Sequence, residues 1–435
     1  MTEPKIVIVG GGFGGLEAAK TLSGKRCSVT LIDRKNHHTF QPLLYQVASA
    51  VLSPGEIATP IRRILNKSKN IEVVLGEVVS VDPNARVVEL EDGGRIDFDY
   101  LILAAGARHS YFGHDEWEKN APGLKTVEDA IEIRRRVLLA FEVAEREAIL
   151  NGEHSPLTFA VIGAGPTGVE MAGAIAGIAR VALARDFRAI DTRKARVILF
   201  EGSDRVLGTF SEDLSERAKQ DLEALGVEVR LKSFVTDIAP GKIKVGDEWI
   251  DSTVTIWATG VASSELGSQL DAETDRAGRV KVNQDLSVGE NGRVFVIGDM
   301  AYVEDKDSNP VPAVAPAAIQ MAKIAAGNIL ADIAGKTRKN FEYYDKGSMA
   351  TIGRSKAIAE AGSIKLTGFI AWLAWLFVHL ISLIGFRNRL WVLTEWFWAY
   401  LTRERSARLI TDGLLESTEQ ENFQSNDDPS NSAVV

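Results

Sequence analysis

Two glycine-rich turns are the segments of this sequence whose residue types and spacing are best suited to chemistry. They are Gly10-Gly11-Gly12-Phe13-Gly14-Gly15 and Gly163-Ala164-Gly165-Pro166-Thr167-Gly168, about 150 residues apart. In such turns glycine lets the backbone bend sharply and approach a pyrophosphate, while N–H groups at the start of the next helix bind phosphate oxygens. One chain with two such turns can therefore hold two dinucleotides face to face.

The first turn lies between a predicted strand and a predicted helix. A β-branched apolar run at residues 5–9 precedes it, good helix formers at 16–22 follow it, and a second apolar run at 27–32 ends in Asp33. A carboxylate at that strand end can accept hydrogen bonds from ribose hydroxyls. A strand–turn–helix unit without a ligand remains the alternative. The predicted binding residues are Gly10, Gly12, Gly15 and Asp33.

The second turn has the same surroundings, with a predicted strand at 158–162 and a helix at 169–178. Its acid, Glu201, comes later than the usual gap of about 20 residues, so residues 178–195 must hold an insertion or a longer helix. The carboxylate would repel the 2′-phosphate of NADPH and thus favours NADH, although Arg205 could soften that preference. The predicted binding residues are Gly163, Gly165, Gly168 and Glu201.

The repeat extends beyond the turns. Apolar strands ending in Gly106 and Gly260 each follow their own turn by about 95 residues, and a later strand ends in Gly298-Asp299. This set resembles the two-dinucleotide-binding-domain flavoproteins, in which the residue matching Asp299 binds the ribityl chain of the flavin. The resemblance implies an α/β fold with two Rossmann-like domains, and FAD and NADH as cofactors.

The composition of the chain argues against several classes of binding and chemistry. The chain has 435 residues, a net charge of −9 and one cysteine, Cys27, which is expected to be a core residue. The negative charge argues against non-specific nucleic-acid binding. Without a second cysteine, neither disulfide reduction nor cysteine-based sulfide oxidation is available. His37 and His38 have no other His or Cys close in sequence, so no metal site is predicted, and packing beside FAD is expected for them.

The C-terminal third predicts contact with a membrane. Residues 369–386 form an apolar run broken only by His379 and Ser382, and five of the eight tryptophans lie between residues 372 and 398. Tryptophan concentrates at membrane–water interfaces. A single crossing would place the flanking arginines opposite the catalytic domain, so we predict monotopic attachment in the interface. A buried core helix or a dimer helix is the alternative. The basic residues are Lys365, Arg387, Arg389, Arg403, Arg405 and Arg408.

Together these segments resemble the type II NADH dehydrogenases, which are single-subunit, non-proton-pumping NADH:quinone oxidoreductases. The similarity covers residues 5–411, and its most specific parts are residues 36–48, 163–170 and 388–410. The resemblance implies transfer of two electrons from NADH through FAD to a membrane quinone. It also implies a peripheral protein on the cytoplasmic face of the bacterial inner membrane.

Two residues are predicted to be catalytic. Glu170 follows the second turn and is expected to face the nicotinamide–flavin contact, although it could simply complement the helix N-terminus. Gln320 matches the second glutamine of the quinone-site signature of the family. The first glutamine is replaced by Pro316, which suits the first turn of a helix but cannot contact quinone through a side-chain amide. Gln320 could instead be a helix residue bonded to backbone.

The predicted domain order follows from these segments. Residues 1–118 and 285–345 form the FAD-binding domain, residues 119–284 form an inserted NADH-binding domain, and residues 346–411 carry the membrane-associating helices. The acidic tail at 412–435 is predicted to be disordered.

Two other functions share the nucleotide motifs. One is a soluble NADH-dependent reductase of a rubredoxin or ferredoxin, which would have no use for the tryptophan-rich region. The other is a non-enzymatic flavoprotein that senses NADH. The native quinone, the kinetic order and homodimerisation through the C-terminal region stay open.

Overall fold

The computed structural model describes residues 3–289, 292–402, 405 and 407–410. The tail predicted to be disordered and Arg403 of the basic cluster lie outside the described residues.

The strands of the described chain form two mainly parallel sheets and several smaller sheets of two or three strands. They are β1 (Lys5–Val9), β2 (Ser28–Asp33), β3 (His37–Thr39), β4 (Ala58–Pro60), β5 (Ile71–Leu75), β6 (Val78–Asp82), β7 (Val87–Leu90), β8 (Arg95–Asp97), β9 (Tyr100–Leu103), β10 (Ala107–His109), β11 (Thr158–Ile162), β12 (Arg196–Phe200), β13 (Val227–Arg230), β14 (Val235–Ala239), β15 (Lys242–Val245), β16 (Glu248–Asp251), β17 (Val254–Trp257), β18 (Val261–Ser263), β19 (Val280–Lys281), β20 (Ser287–Val288), β21 (Val294–Val296), β22 (Ala301–Tyr302), β23 (Ser348–Gly353), β24 (Lys356–Ala361) and β25 (Ile364–Thr367).

The α-helices of the described chain differ widely in length. They are α1 (Phe13–Leu22), α2 (Leu44–Ala48), α3 (Pro54–Ile57), α4 (Ile61–Ile64), α5 (Val127–Asn151), α6 (Pro166–Gly177), α7 (Glu212–Ala224), α8 (Ala315–Ile333), α9 (Gly368–Ser382) and α10 (Phe386–Thr402). The 3₁₀ segments are Gln41–Leu43, Asp115–Trp117, Thr192–Lys194, Glu265–Gln269 and Gly298–Met300, and one π-helical turn covers Ile178–Ala182.

The first large sheet has the order β20-β21-β9-β1-β2-β5 and is parallel except at β20. Its strands are largely apolar on both faces, and they share one core with the helices α1 and α8 and with the strands β6 and β7. Val9 pairs with Ile32 on one side and with Leu103 on the other. The carboxyl ends of β1, β2, β9 and β21 therefore meet at one edge of the sheet, where such folds bind ligands.

A second parallel sheet, in the order β13-β12-β11-β17, is made entirely from the segment between β9 and β21 of the first. Its strand order repeats β5-β2-β1-β9. In each case an antiparallel three-stranded sheet comes before the last of these four strands along the chain: β6-β7-β8 lies between β5 and β9, and β14-β15-β16 lies between β13 and β17. We call the part of the chain that forms the first sheet the first copy, and the part that forms the second sheet the second copy. The two copies therefore share more than the glycine-rich turns.

The extra residues predicted before Glu201 form a helical extension and a short 3₁₀ segment. Helix α6 continues into the π-helical turn Ile178–Ala182, and the Thr192–Lys194 segment follows before β12. The Glu145 carboxylate on α5 accepts the backbone N–H groups of residues 188–190, which fixes this insertion against the long helix.

The C-terminal region forms the antiparallel sheet β23-β24-β25 and the helix pair α9 and α10. The apolar run predicted from the sequence is broken: α9 ends at Ser382, Gly385 has φ +92°, and α10 begins at Phe386. Among the described residues, no helix is both long enough and apolar enough to span a membrane. Trp375 and Trp396 are buried in the same core as the helices α2, α5 and α6, so the helix pair packs on both halves of the repeat.

Candidate active site

The first glycine-rich turn is built by contacts that exclude side chains on one side and leave space on the other. Gly10 has φ +100°, and a Cβ there would overlap the carbonyl of Ala104 at the end of β9. A Cβ on Gly15 would overlap the carbonyl oxygen of Gly10. By contrast, a Cβ on Gly12, the N-cap of α1, would meet no heavy atom within 4 Å. The backbone thus faces open space at the helix N-terminus, which suits a pyrophosphate.

The second turn has the same geometry. Gly163 has φ +98° and lies against Ala258 and Thr259 after β17, and a Cβ on Gly168 would overlap the oxygen of Gly163. Gly165, the N-cap of α6, again has no heavy atom within 4 Å of its Cβ position. Both predicted turns are therefore formed, and both leave the middle glycine open.

The two acids occupy matching positions. Asp33 Oδ2 accepts the N–H of Gly11 at 2.5 Å, and Glu201 Oε2 accepts the N–H of Ala164 at 2.7 Å. In each case the carboxylate joins the end of the second strand to the turn after the first strand. Arg205, expected to soften the preference for NADH, directs its hydrogen bonds to Gly208 and Glu212.

The carboxyl ends of the two sheets are joined directly. Gly106 and Gly260 have φ +74° and +70°, and the strands that follow them, β10 and β18, pair antiparallel with each other. Asp299 lies in the 3₁₀ turn after β21, with its carboxylate 3.9 Å from Nζ of Lys125. Burial lowers the pKa of Lys125. The structure thus brings together the strand ends at Gly106 and Gly260.

His38 lies directly under the first turn, where packing beside FAD was expected for it. Its Nδ1 is 3.1 Å from the carbonyl oxygen of Gly11, and the edge of its ring contacts Phe13. The buried Nε2 has no hydrogen-bond partner among the described residues. Burial lowers the pKa of His38 to about 4, so the ring is neutral at physiological pH. With the open Gly12 and the carboxylate of Asp33, these residues fit an adenine dinucleotide such as FAD.

Glu170 lies in the second turn of α6 and is half-buried. The helix begins at Pro166 and has no acid in its first turn, so complementing the helix N-terminus is not its role. Burial raises the pKa of Glu170 to about 8, although a backbone hydrogen bond from Thr351 partly opposes the shift. The carboxyl group is therefore protonated at neutral pH.

The position of Glu170 is set by a close helix–strand contact. A Cβ on Gly173, one turn further along α6, would overlap the carbonyl oxygen of Ile352 in β23. Only glycine permits this approach, and it brings the backbone of Thr351 to the carboxyl group of Glu170.

Glu170 forms part of the wall of a cavity of about 240 Å³ between α2, α6, β23 and the helix pair. The wall is largely aromatic and apolar, with a few polar groups. Members of the wall include Tyr45, Gln46, Glu170, Trp372, Trp375, Leu376, Trp396, Tyr400 and Arg405. Its aromatic members were visible in the sequence only as a high local tryptophan content, and their convergence on Glu170 was missed.

Tyr45 is the polar neighbour of Glu170 in this cavity. Burial, followed by the charge of Glu170, raises the pKa of Tyr45 well above its usual value. The Tyr45 hydroxyl accepts Nε2 of Gln46 at 2.8 Å, and Gln46 Oε1 accepts Nε1 of Trp396 at 2.7 Å. The phenol is thus held by a chain of bonds that begins on α10.

Arg405 closes the cavity from the C-terminal side. Its guanidinium donates to the carbonyl oxygens of Ser49 and Ala174, and burial lowers its pKa to about 10. It ties the end of the described chain to α6 and to the segment after α2. Arg405 is one of the basic residues near the predicted membrane segment, and its guanidinium is engaged by these backbone oxygens.

Gln320 is placed on α8, and it is not among the described residues that line this cavity. Its Oε1 accepts the N–H of Tyr344 at 3.0 Å, and its Nε2 donates to the carbonyl oxygens of Tyr344 and Pro316. This is the helix residue bonded to backbone that the sequence left as the alternative. Pro316 lies in the first turn of α8, as predicted.

Two family models together match most of the chain. The pyridine nucleotide-disulphide oxidoreductase family matches residues 4–322, and the NDH2 C-terminal domain matches residues 345–404. The type II NADH:quinone oxidoreductase Ndh of Mycobacterium tuberculosis is 46% identical over 423 residues, which cover 94% of this chain and 90% of the relative. The chain belongs to the type II NADH:quinone oxidoreductase family. This confirms the family that the sequence motifs predict.

A further relative and two solved structures are similar at lower identity. The Haemophilus influenzae protein is 30% identical over 383 residues, covering 81% of this chain and 86% of its own length. Among solved structures, NDH2 from Plasmodium falciparum in complex with RYL-552 has a TM-score of 0.84 at 20% identity and covers 94% of this chain and 100% of its own. The sulfide:quinone oxidoreductase of Aquifex aeolicus has a TM-score of 0.70, also at 20% identity, and covers 97% and 95%. At that identity the two structures show the shared fold alone.

Proposed function

We propose that this chain oxidises NADH and transfers two electrons through FAD to a membrane quinone without pumping protons. The balanced reaction is NADH + H⁺ + quinone → NAD⁺ + quinol. The observation that carries the proposal is the pairing of β10 with β18, which brings the carboxyl ends of both dinucleotide-type sheets together. Two dinucleotides bound at those ends would have their reactive rings in the same region.

Each copy is proposed to hold one dinucleotide. Residues 1–118 with 285–345 would bind FAD, and residues 119–284 would bind NADH. When bound, FAD supplies the acceptor for hydride and the donor of electrons to quinone. The chain supplies phosphate-binding turns, ribose acceptors and the orientation of the rings. The proposed FAD residues are Gly10, Gly12, Gly15, Asp33, Gly106 and Asp299, and the proposed NADH residues are Gly163, Gly165, Gly168, Glu201 and Gly260.

The cavity beside Glu170 is proposed to receive the quinone. A mainly apolar wall with a few polar groups fits a lipophilic ring that carries two carbonyl oxygens. Because its pKa is raised to about 8, Glu170 holds a proton at neutral pH and can donate it to a reduced quinone oxygen. Gln320 would have to exchange its bonds with Tyr344 before it could contact quinone, so its catalytic role stays a prediction.

The helix pair is proposed to lie on the membrane. Its apolar face, the exposed large apolar residues of α9 and α10, has no cover within the described chain, and Arg387 and Arg389 flank it at the helix junction. We propose peripheral, monotopic attachment of residues 346–411 to the cytoplasmic face of a bacterial inner membrane. The members of the apolar face are Phe369, Ile370, Leu373, Phe377, Val378, Ile381, Phe386, Leu390, Trp391, Leu393, Phe397, Trp398 and Leu401.

Anaerobic rapid mixing tests the reaction. The FAD-loaded protein is mixed with NADH and then with a short-chain quinone while flavin absorbance is followed. Bleaching and recovery, both within milliseconds, are expected. Bleaching without recovery would favour a reductase of a small redox protein, and no bleaching would refute NADH binding at the second turn.

A further inference from the structure

The two copies differ at one point of the nucleotide-binding edge. In the first copy the residue after the acid is Arg34, and the residue before the three-stranded sheet is Glu77. Their side chains form an ion pair, with Nη1 and Oε1 3.7 Å apart. Arg34, after the end of β2, therefore faces Glu77, after the end of β5.

In the second copy these two positions hold Gly202 and Phe234. A Cβ on Gly202 would lie 2.8 Å from Cδ1 and from Cζ of the Phe234 ring, so the ring lies against the glycine backbone. The rest of the ring faces solvent, and Phe234 is 70% exposed. A single exposed apolar side chain is common on protein surfaces. Phe234 differs by its position, since it lies beside the acid at the edge where NADH is proposed to bind, and a dinucleotide bound there would cover the ring.

The neighbourhood identifies that ligand. Glu201, whose carboxylate is the proposed acceptor for the adenosine ribose, directly precedes Gly202, and the N–H of Ser233 donates to the carbonyl oxygen of Glu201 at 2.9 Å. The base attached to a ribose held by Glu201 would lie next to the exposed ring. Adenine is flat and aromatic, and it can stack on phenylalanine while its edge stays wet.

We propose that Phe234 binds the adenine ring of NADH by stacking, with Gly202 leaving the space that the ring needs. This inference rests on the proposed function. It adds a residue that recognises the adenosine half of NADH, which is remote from the site of hydride transfer. Phe234 acts in binding and takes no part in the chemical step. Truncation should therefore raise KM and leave kcat nearly unchanged.

The test compares substrates with and without adenine. For Phe234→Ala we expect KM for NADH to rise about fivefold to tenfold, with kcat within about twofold of the unchanged protein. Reduced nicotinamide mononucleotide lacks the adenosine, so its kcat/KM should not change. Phe234→Trp should keep a KM close to that of the unchanged protein, whereas Phe234→Leu should resemble the alanine variant because it is apolar without a ring.

A binding measurement separates recognition from turnover. Calorimetric titration of the FAD-loaded protein with ADP-ribose should show the same fivefold to tenfold weakening for Phe234→Ala. Trp249→Ala is the matched control, because Trp249 is an exposed aromatic residue of the same copy that packs on Lys242. The Trp249→Ala variant should change neither the KM for NADH nor the affinity for ADP-ribose.

Two outcomes would overturn the proposal: an unchanged KM for NADH in Phe234→Ala, or an equal loss with reduced nicotinamide mononucleotide. Failure of the proposed function looks different, because the unchanged protein would then oxidise neither substrate.

Discussion

Nε1 of Trp396 donates a 2.7 Å hydrogen bond to Oε1 of Gln46, a residue 350 positions earlier in the chain. Both side chains are buried, and Gln46 in turn holds the hydroxyl of Tyr45. The helix pair at the proposed membrane surface is thereby bonded to the wall of the cavity that contains Glu170.

Trp396→Phe should lower the free energy of unfolding by about 1–3 kcal/mol, because it leaves the buried oxygen of Gln46 without its donor. Urea unfolding measures the change. Trp398→Phe is the control, since Trp398 is exposed on the same helix and should have little effect. Equal effects of the two variants would show that the buried bond contributes nothing.

Glu170→Gln should slow quinone-dependent reoxidation at pH 7 by about 100-fold if Glu170 donates the proton. The reduction by NADH in the first mix should keep its rate. In the unchanged protein reoxidation should slow as pH rises through about 8, the pKa of Glu170, because the proton is then lost. The variant should lack that inflection. An identical pH profile in both proteins would remove Glu170 from the proton path.

The same carboxyl group links stability to pH. Its pKa is 4.5 in the ordinary state and about 8 when buried, so the folded chain binds more protons between these values. The contribution of neutral Glu170 is therefore fully present below pH 4.5 and is lost as pH rises towards 8, by up to about 1.4 kcal/mol per pH unit. Unfolding at pH 6 and pH 8 should show a smaller difference for Glu170→Gln than for the unchanged protein. A larger difference would contradict the burial of the carboxyl group.

Gly173→Ala should destabilise the chain by about 1–3 kcal/mol, because the new Cβ collides with the carbonyl of Ile352 and must move β23. Gly327→Ala is a matched helix control: its Cβ would meet no atom within 4 Å, and it should stabilise by up to about 1 kcal/mol. Thermal unfolding of both variants measures the contrast. Stabilisation by Gly173→Ala would mean that α6 and β23 are further apart.

Glu201→Ala should raise KM for NADH by about 10-fold to 100-fold, because a charged acceptor for the ribose hydroxyls is removed. The ratio of kcat/KM for NADH over NADPH should also fall, since the 2′-phosphate no longer meets a carboxylate. Steady-state kinetics with both nucleotides measure the two effects. Glu273→Ala is the control, because it removes an exposed carboxylate paired with Lys281. It should change neither the KM for NADH nor the ratio of kcat/KM for the two nucleotides. An unchanged nucleotide ratio would show that Glu201 does not set the preference.

The double variant Phe377→Ser and Phe397→Ser should weaken binding to anionic lipid vesicles by about 100-fold or more, since each buried aromatic side chain contributes about 1.5–3 kcal/mol. Vesicle flotation measures the bound fraction. Leu75→Ser removes an exposed apolar side chain far from the helix pair in sequence and serves as the control. If the double variant floats normally and only its self-association changes, the apolar face is a dimer surface.

The sequence predicted the parts of the site that are local in the chain. Each glycine-rich turn lies within one strand–turn–helix unit, and the strands at 5–9, 158–162 and 196–200 are formed as expected. Helix starts were less accurate: α6 begins at Pro166, three residues before the predicted start, because proline and the glycines suit the first helical turn.

Long-range contacts could not be predicted. The bond between Gln46 and Trp396, the bonds of Gln320 with Tyr344 and the approach of Gly173 to Ile352 join segments that no periodicity relates. The break in the apolar run depends on Gly385, which has φ +92°. Glycine can adopt this conformation, but its presence in the sequence does not show that it does so.

The discontinuous first sheet has a consequence for biosynthesis. All four strands of the second sheet lie between residues 158 and 257, whereas β9 of the first sheet pairs with β21 at Val294–Val296. A nascent chain emerges from its N-terminus, so the second copy has all four strands of its sheet before the first copy receives β20 and β21. The second copy can fold first, and the first copy is completed around it.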